Sequence, residues 1–313
     1  MRLGVDMGAT AIKSGLVDDQ GTVCNKQTTP TGAERGGAAV LENLEAACRL
    51  QMAREKVESI GIGLPGRVDP RTGSLVDATN LPLQDTPVAP MLTQRLGVPV
   101  YVGNDANCAL LGEMLWGEGR RLPYSDAHML MVTVGTGIGG AIEIGGKIYR
   151  GRLGNASEVG HMTICCTGER CRCGRIGCWE YYASVTGLIR QTIRAAEKAP
   201  DSLLARMARE SAVDGRTVFT AARKGCNVAE QVIEQYAAYL AHGINNLTTI
   251  FRPDRLVMAG AIFNEGEYLR SRIEKHCIDP AILRISELHD RAGLLGAASL
   301  CDLYAGRLTK DEG

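Results

Sequence analysis

Aromatic side chains are scarce in this chain: Phe, Trp and Tyr together make up 4% of its 313 residues. Surfaces that grip single-stranded nucleic acid stack bases on such rings, so that class is disfavoured. Neither sign of charge prevails, with 35 basic against 35 acidic side chains and no basic run. The electrostatic footprint of a nucleic-acid or membrane-surface partner is therefore missing. No apolar run approaches the roughly 20 residues that span a bilayer. Arg2-Leu-Gly-Val-Asp6 enters a strand pattern directly, without the apolar stretch of a secretory leader. These absences predict a cytoplasmic protein with no nucleic-acid and no membrane partner. The chain also has no Cys-x-x-Cys pair among its 11 cysteines, which argues against a redox motif. In a reducing compartment the cysteines need a reading other than disulfides.

What is present is a globular composition, 45% hydrophobic and 22% charged. A chain of 313 residues exceeds what one core usually organises, which predicts two domains. Glycine carries the first motif. Gly135-x-Gly137-x-x-Gly140 has the spacing of a dinucleotide fingerprint, which needs a strand before it and a helix after it. His128–Val134 reads as the strand. Ala141–Ile144, Gly145-Gly146 and Lys147–Tyr149 then read as strand, tight turn and strand. No helix follows, so a nicotinamide or flavin enzyme is the lesser alternative. The N-terminus repeats the plan: strand Leu3–Asp6, turn Met7–Thr10, strand Ala11–Val17, turn Asp18–Gly21, and strand again from Thr22 to Lys26. Two such units are either ordinary hairpins or a duplicated domain whose glycine turns present backbone N–H groups to the phosphates of a nucleoside triphosphate.

Elsewhere strands alternate with helices: helix 36–52, strand 58–63, a turn over 64–69, strand 98–103, helix 106–116, a helix-rich 185–250, helix 229–251, strand 255–258 and a final helix 293–305. This predicts an α/β protein with a mostly parallel sheet, whose ligands lie beyond the carboxyl ends of the strands. Asn104 and Asp105 stand at such an end. Asp105 is a candidate N-cap for the helix that follows.

His161, Cys171, Cys173 and Cys178 lie within 18 residues and offer the N and S donors that zinc takes tetrahedrally. Gly174 and Gly177 allow the chain to fold closely around an ion. A four-ligand site is closed and structural. Cys165 and Cys166 are alternative ligands that the spacing disfavours, and a set of buried free thiols is the plainer alternative. Glu158 and Glu180 flank the cluster, so a metal there fixes two carboxylates in place.

These segments together resemble the ROK family of repressors and sugar kinases, of the actin-like ATPase and hexokinase fold. Asp6-Met-Gly-Ala-Thr-Ala-Ile-Lys13 is similar to its first phosphate motif and Gly135-Thr-Gly-Ile-Gly-Gly140 to its second. Gly63-Leu-Pro-Gly66 and Asn80-Leu-Pro82 resemble sugar-loop motifs, and Gly103-Asn-Asp-Ala-Asn107 the segment of the catalytic aspartate. Glu158-Val-Gly-His161 followed by Cys171–Glu180 is the most distinctive match. Leu256–Ala261 resembles the adenosine motif, and Ala292–Ala298 the C-terminal helix. Ala9 and Ala261 stand where the family often has glycine, which strains the chain if those positions need a positive φ.

The resemblance implies an α/β fold of duplicated actin-like ATPase (ribonuclease H-like) domains with an interdomain cleft. The expected division is a small domain of 1–107 plus 293–313 and a large one of 108–292 that carries the zinc segment 161–178. It implies ATP-dependent phosphorylation of a hexose, glucose at O6 first, with N-acetylmannosamine, allose, mannose and fructose as alternatives. A sugar sensor without turnover is the alternative of another class. Family repressors carry a DNA-binding segment before the first phosphate motif, and with the first strand at Arg2 none is expected here. Asp105 is then the base, and Gly66, Asn80, Asn104, Asp105, Glu158, His161 and Glu180 are the sugar-binding residues. Asp6, Gly8, Thr10, Lys13, Thr133, Gly135, Thr136, Gly137, Gly139 and Gly260 bind ATP with Mg²⁺. Zn²⁺ is structural, and a homodimer is expected.

Overall fold

The computed structural model describes residues 1–78, 80–122, 126–152, 154 and 156–305. Contacts divide the chain into two compact units: residues 1–131, 141–157 and 286–313 form the first, and residues 132–140 and 158–285 the second. Residues 108–131, 141–157 and 286–292, expected in the larger domain, thus fall in the first unit.

The first unit opens with β1 (Arg2–Met7), β2 (Ala11–Val17), β3 (Val23–Pro30) and the helix α1 (Gly37–Met52). The fully buried β4 (Ser59–Leu64) follows. Where the sequence suggested only a turn, a small antiparallel sheet forms from β5 (Arg67–Asp69), β6 (Ser74–Asp77) and β7 (Gln84–Thr86). Helix α2 (Val88–Leu96), strand β8 (Val100–Asn104) and helix α3 (Asp105–Trp116) complete this part. The main sheet has the order β3-β2-β1-β4-β8. β1, β2 and β3 form an antiparallel meander, while β4 and β8 run parallel to β1. Parallel central strands are covered on both faces, which is why Ser59-Ile-Gly-Ile-Gly-Leu64 carries no charge.

A second sheet has the order β11-β10-β9-β12-β13, from β9 (Met129–Val134), β10 (Ile138–Ile144), β11 (Lys147–Ile148), β12 (Arg255–Ala259) and β13 (Leu283–Ile285). Each sheet is thus a meander of three strands extended by two more, in the order 3-2-1-4-5. This is the topological record of the duplication that the two glycine hairpins suggested.

The second unit holds α4 (Trp179–Ala183), α5 (Val185–Lys198), α6 (Leu203–Glu210), α7 (Thr217–Arg223), α8 (Asn227–Phe251) and α9 (Glu267–Glu274). Val232, Ile233, Tyr236, Ala237, Leu240, Ala241, Ile244 and Leu247 form the buried stripe of α8, at helical spacing. The helix stops at Arg252, which takes a left-handed φ of 45° before Pro253. The expected last helix is two: α10 (Arg291–Ala298) and α11 (Leu300–Tyr304), separated at Ser299. α10 packs backbone-close in the first unit, where a Cβ at Gly61 would lie 1.7 Å from Ala297 O and one at Gly296 1.6 Å from Cys108 O. Only glycine permits that approach.

Candidate active site

In the first unit, sheet register gathers Asp6 and Asp105 at the carboxyl ends of β1 and β8, which flank β4. Asp6 on β1 pairs with Gly63 on β4, and Gly63 pairs with Gly103 on β8, two residues before Asp105. Two strand spacings put the Asp6 and Gly103 backbones about 10 Å apart. Asn104, not Asp105, is the N-cap of α3: its Oδ1 accepts from Asn107 N–H at 3.1 Å. Asp105 is the first helical residue, and its Oδ1 accepts from Ala106 N–H and from Asn104 Nδ2, both at 2.9 Å. Asn104 Nδ2 also donates to Gly66 O at 3.1 Å, so one asparagine ties the catalytic candidate to the loop after β4. Gly66 takes φ 104°, and a Cβ there would lie 2.3 Å from Asp77 O; glycine is required on both counts. Asn80 lies in an exposed turn.

Gly8 and Thr10 are exposed in the turn between β1 and β2. Gly8 N–H donates to Ala11 O at 2.8 Å, and Thr31 Oγ1 donates to Gly8 O at 2.7 Å. Neither Ala9 nor Ala261 takes a positive φ, so alanine strains the backbone at neither place. Lys13 Nζ lies 4.0 Å from Asp6 Oδ2. Burial raises the Asp6 carboxyl above its ordinary value; Lys13 opposes the shift and Asp290 adds to it. Burial, then Asp105 and Asp6, push the nearby Cys108 thiol up as well. The carboxylates of Asp6 and Asp105 at these strand ends are oxygen donors of the kind a divalent cation takes.

In the second unit, Gly135, Thr136 and Gly137 form a turn that runs straight into β10, with no helix after it. The geometry of a dinucleotide site is thereby excluded. Thr133 is on β9 and Gly139 on β10. Part of the turn is committed to the protein: Gly135 N–H donates to Gly137 O at 2.9 Å, and Ile138 N–H to Glu180 Oε2 at 2.9 Å. Gly260, at φ 135°, lies so close to β9 that a Cβ would be 2.0 Å from Val134 O.

His161, Cys171, Cys173 and Cys178 converge, with their donor atoms all within 4.8 Å of one another. His161 Nδ1 lies 3.9 Å from Cys171 Sγ, and Cys173 Sγ 3.5 Å from Cys178 Sγ. A zinc tetrahedron with Zn–S bonds of about 2.3 Å has S···S edges of about 3.8 Å, so the donor set fits that ion. The loop is preformed by its own backbone. Cys171 N–H donates to Arg175 O at 2.8 Å, and Gly177 N–H to Glu169 O at 2.9 Å. Gly174 and Gly177 take φ 90° and 75°, the left-handed turns that close it. Cys165 and Cys166 are outside the cluster. Glu158 is exposed at the start of a 3₁₀ turn over Val159–His161, and Glu180 stands in the first turn of α4.

Sequence reasoning missed three features: the capping role of Asn104, the Glu180–Ile138 contact, and the Thr186 Oγ1 bond to Thr136 O at 2.8 Å. The first was readable, since Asn is as good a cap as Asp. The other two join residues 42 and 50 positions apart, for which local pattern gives no signal.

Known proteins agree with this architecture. A glucokinase of Halalkalibacterium halodurans is 34% identical over 313 residues, covering 95% of this chain and 94% of the relative. A ROK-family glucokinase of Streptomyces griseus, solved with glucose and AMPPNP, superposes with a TM-score of 0.82 at 32% identity, covering 96% of this chain and 98% of the other. A xylose repressor of Caldicellulosiruptor bescii is 29% identical over 249 residues, 77% of this chain and 61% of the repressor. The fold is the α/β fold of actin-like ATPases. The ROK family pattern matches residues 2–303, and the chain belongs to the ROK family.

Proposed function

We propose that the protein transfers the γ-phosphoryl group of ATP to a hexose, with O6 of glucose as the acceptor. The observation that carries this reading is the setting of Asp105. It stands at the carboxyl end of β8, and its Oδ1 is held by Asn104 Nδ2 and Ala106 N–H, each at 2.9 Å. A carboxylate fixed in this way serves as general base. It takes the proton of the sugar hydroxyl as that oxygen forms its bond to the γ-phosphorus and the bond to ADP breaks. The similarity to two glucokinases, at 34% and 32% identity, supports both the reaction and the sugar.

Asn104, Glu158, His161 and Glu180 hydrogen-bond the sugar hydroxyls, with Gly66 and Asn80 alongside. The amide nitrogen of Asn104 already donates twice, so its oxygen is the atom for a further partner. The His161 Nδ1 faces the cysteines, which assigns Nε2 to the sugar. Asp6, Thr10 and Lys13 receive Mg²⁺ and the phosphates, with the Gly8 turn, Thr133 and the Gly135–Gly139 turn; Gly260 admits the adenosine end. Bound Mg²⁺ supplies neutralisation of the triphosphate charge. His161, Cys171, Cys173 and Cys178 hold zinc, which supplies fixation of the loop and no chemistry.

ADP release measured with Mg-ATP against glucose, mannose, allose, fructose, N-acetylglucosamine and N-acetylmannosamine tests this function. A clear preference for glucose is expected. Preference for another sugar keeps the kinase and overturns the substrate. Silence from folded protein across the panel overturns the kinase and favours a sugar sensor, the reading to which the similarity to a xylose repressor points.

A further inference from the structure

One short stretch of chain holds the turn between β9 and β10. Val185 N–H donates to Gly135 O at 2.9 Å, Thr186 Oγ1 to Thr136 O at 2.8 Å, and Glu180 Oε2 accepts Ile138 N–H at 2.9 Å. The last is charge-assisted and the strongest of the three. The turn leaves room for it: a Cβ at Gly137 would lie 2.3 Å from Glu180 Oε2. Gly137 does not take a positive φ, so conformational freedom is not what requires glycine there. The space taken by the carboxylate is.

Glu180 is itself held from its N-terminal side. Cys178, two residues earlier, belongs to the four-donor cluster. Trp179 is fully buried, with its N–H on Met162 O at 2.9 Å and Nε1 on Tyr239 O at 2.8 Å. The indole lies where Gly243 lacks a side chain; a Cβ there would be 2.0 Å from the ring. The backbone under Glu180 is therefore fixed before the side chain reaches Ile138.

A carboxylate repels a triphosphate, so its place against a phosphate turn needs a return. The return is order in the turn, since a fixed backbone amide aims its neighbours. We propose that Glu180 is a positioning residue for the nucleotide: it holds the Ile138 amide and so sets the path of the Gly135–Gly137 turn. On the kinase reading, on which this rests, the same carboxylate lies in the segment that binds the sugar. Nucleotide affinity then depends on a residue of the sugar segment.

The test is the dissociation constant of Mg-ADP without sugar, by calorimetry on the full chain, with zinc content measured for every variant. Glu180→Ala weakens binding about tenfold, the worth of a hydrogen bond to a charged group. Glu180→Gln keeps an oxygen acceptor for the Ile138 amide and stays within about threefold. Gly137→Ala displaces the carboxylate and weakens binding too, but adds no further loss in the Glu180→Ala background, because both act on one contact. A zinc-replete Glu180→Ala protein with unchanged Mg-ADP affinity overturns the proposal. So does a Gly137→Ala cost that is the same with and without Glu180. If Glu180→Ala fails to fold or loses zinc, Gly137→Ala with unchanged Mg-ADP affinity overturns it. Wild-type protein that binds no Mg-ADP overturns the kinase reading instead.

Discussion

Asparagine and aspartate compete for one role at the start of α3, and their neighbours decide between them. Both are good helix caps. Once Asn104 accepts the Asn107 amide, Asp105 is released from capping, and Asn104 Nδ2 and Ala106 N–H orient its Oδ1. Capping therefore does not compete with a role in chemistry. Asp105→Ala is therefore expected to lower kcat by about 10²–10⁴-fold while the sugar dissociation constant, read by calorimetry, moves little. Retention of a tenth of the activity removes the base assignment. The sequence left cap and base open at Asp105, because a short polar side chain at the start of a helix suits either role. Alanine at 9 and 261 also needed the backbone: a positive φ is a property of the folded turn, and neither residue has one.

At the scale of elements, the cysteine loop is the part most fully written in the sequence. Its ligands sit within a few residues of each other, so spacing alone nearly fixes their geometry, and the four expected donors are the four that converge. Cys173→Ser is expected to drop zinc content measured by mass spectrometry and to weaken sugar binding about tenfold, because Glu158, His161 and Glu180 lose their frame. A variant that keeps both contradicts the ligand assignment. The glycine hairpin was equally legible, since strand after turn needs only local pattern. The last helix was not. Residues 293–305 read as one helix, yet the chain breaks at Ser299 into α10 and α11. α10 follows the close contacts with β1, β4 and α3. The small sheet of β5, β6 and β7 was also missed, because its strands are three or four residues long and too short to show alternation.

Across the whole molecule, one buried acid is expected to contribute to the pH dependence of stability. Glu113 on α3 is fully buried, with Oε1 on Ser286 Oγ at 2.5 Å and Oε2 on Glu118 N–H at 3.1 Å. Burial raises its carboxyl above the ordinary value, against the pull of those two bonds. The folded state then holds the proton more tightly than the unfolded chain. The contribution to stability is full below the ordinary glutamate value and is lost as pH rises through the raised one. Glu113→Gln removes that loss. Its melting temperature is expected to fall less between pH 5 and pH 8 than that of the wild type, measured by calorimetry; parallel curves sink the assignment. The partner Ser286 is 173 residues away.

The sequence by itself determined the α/β class, the doubled glycine hairpins and the four N and S donors that converge. Each is local: a period of two or 3.6, a glycine where the chain must turn, or ligands a few residues apart. Tertiary structure decided where the compact units divide, which of Asn104 and Asp105 caps α3, and that Glu180 lies on the Ile138 amide. Those outcomes rest on contacts between distant segments, whose energies depend on how the whole core packs. No short window of sequence contains that sum.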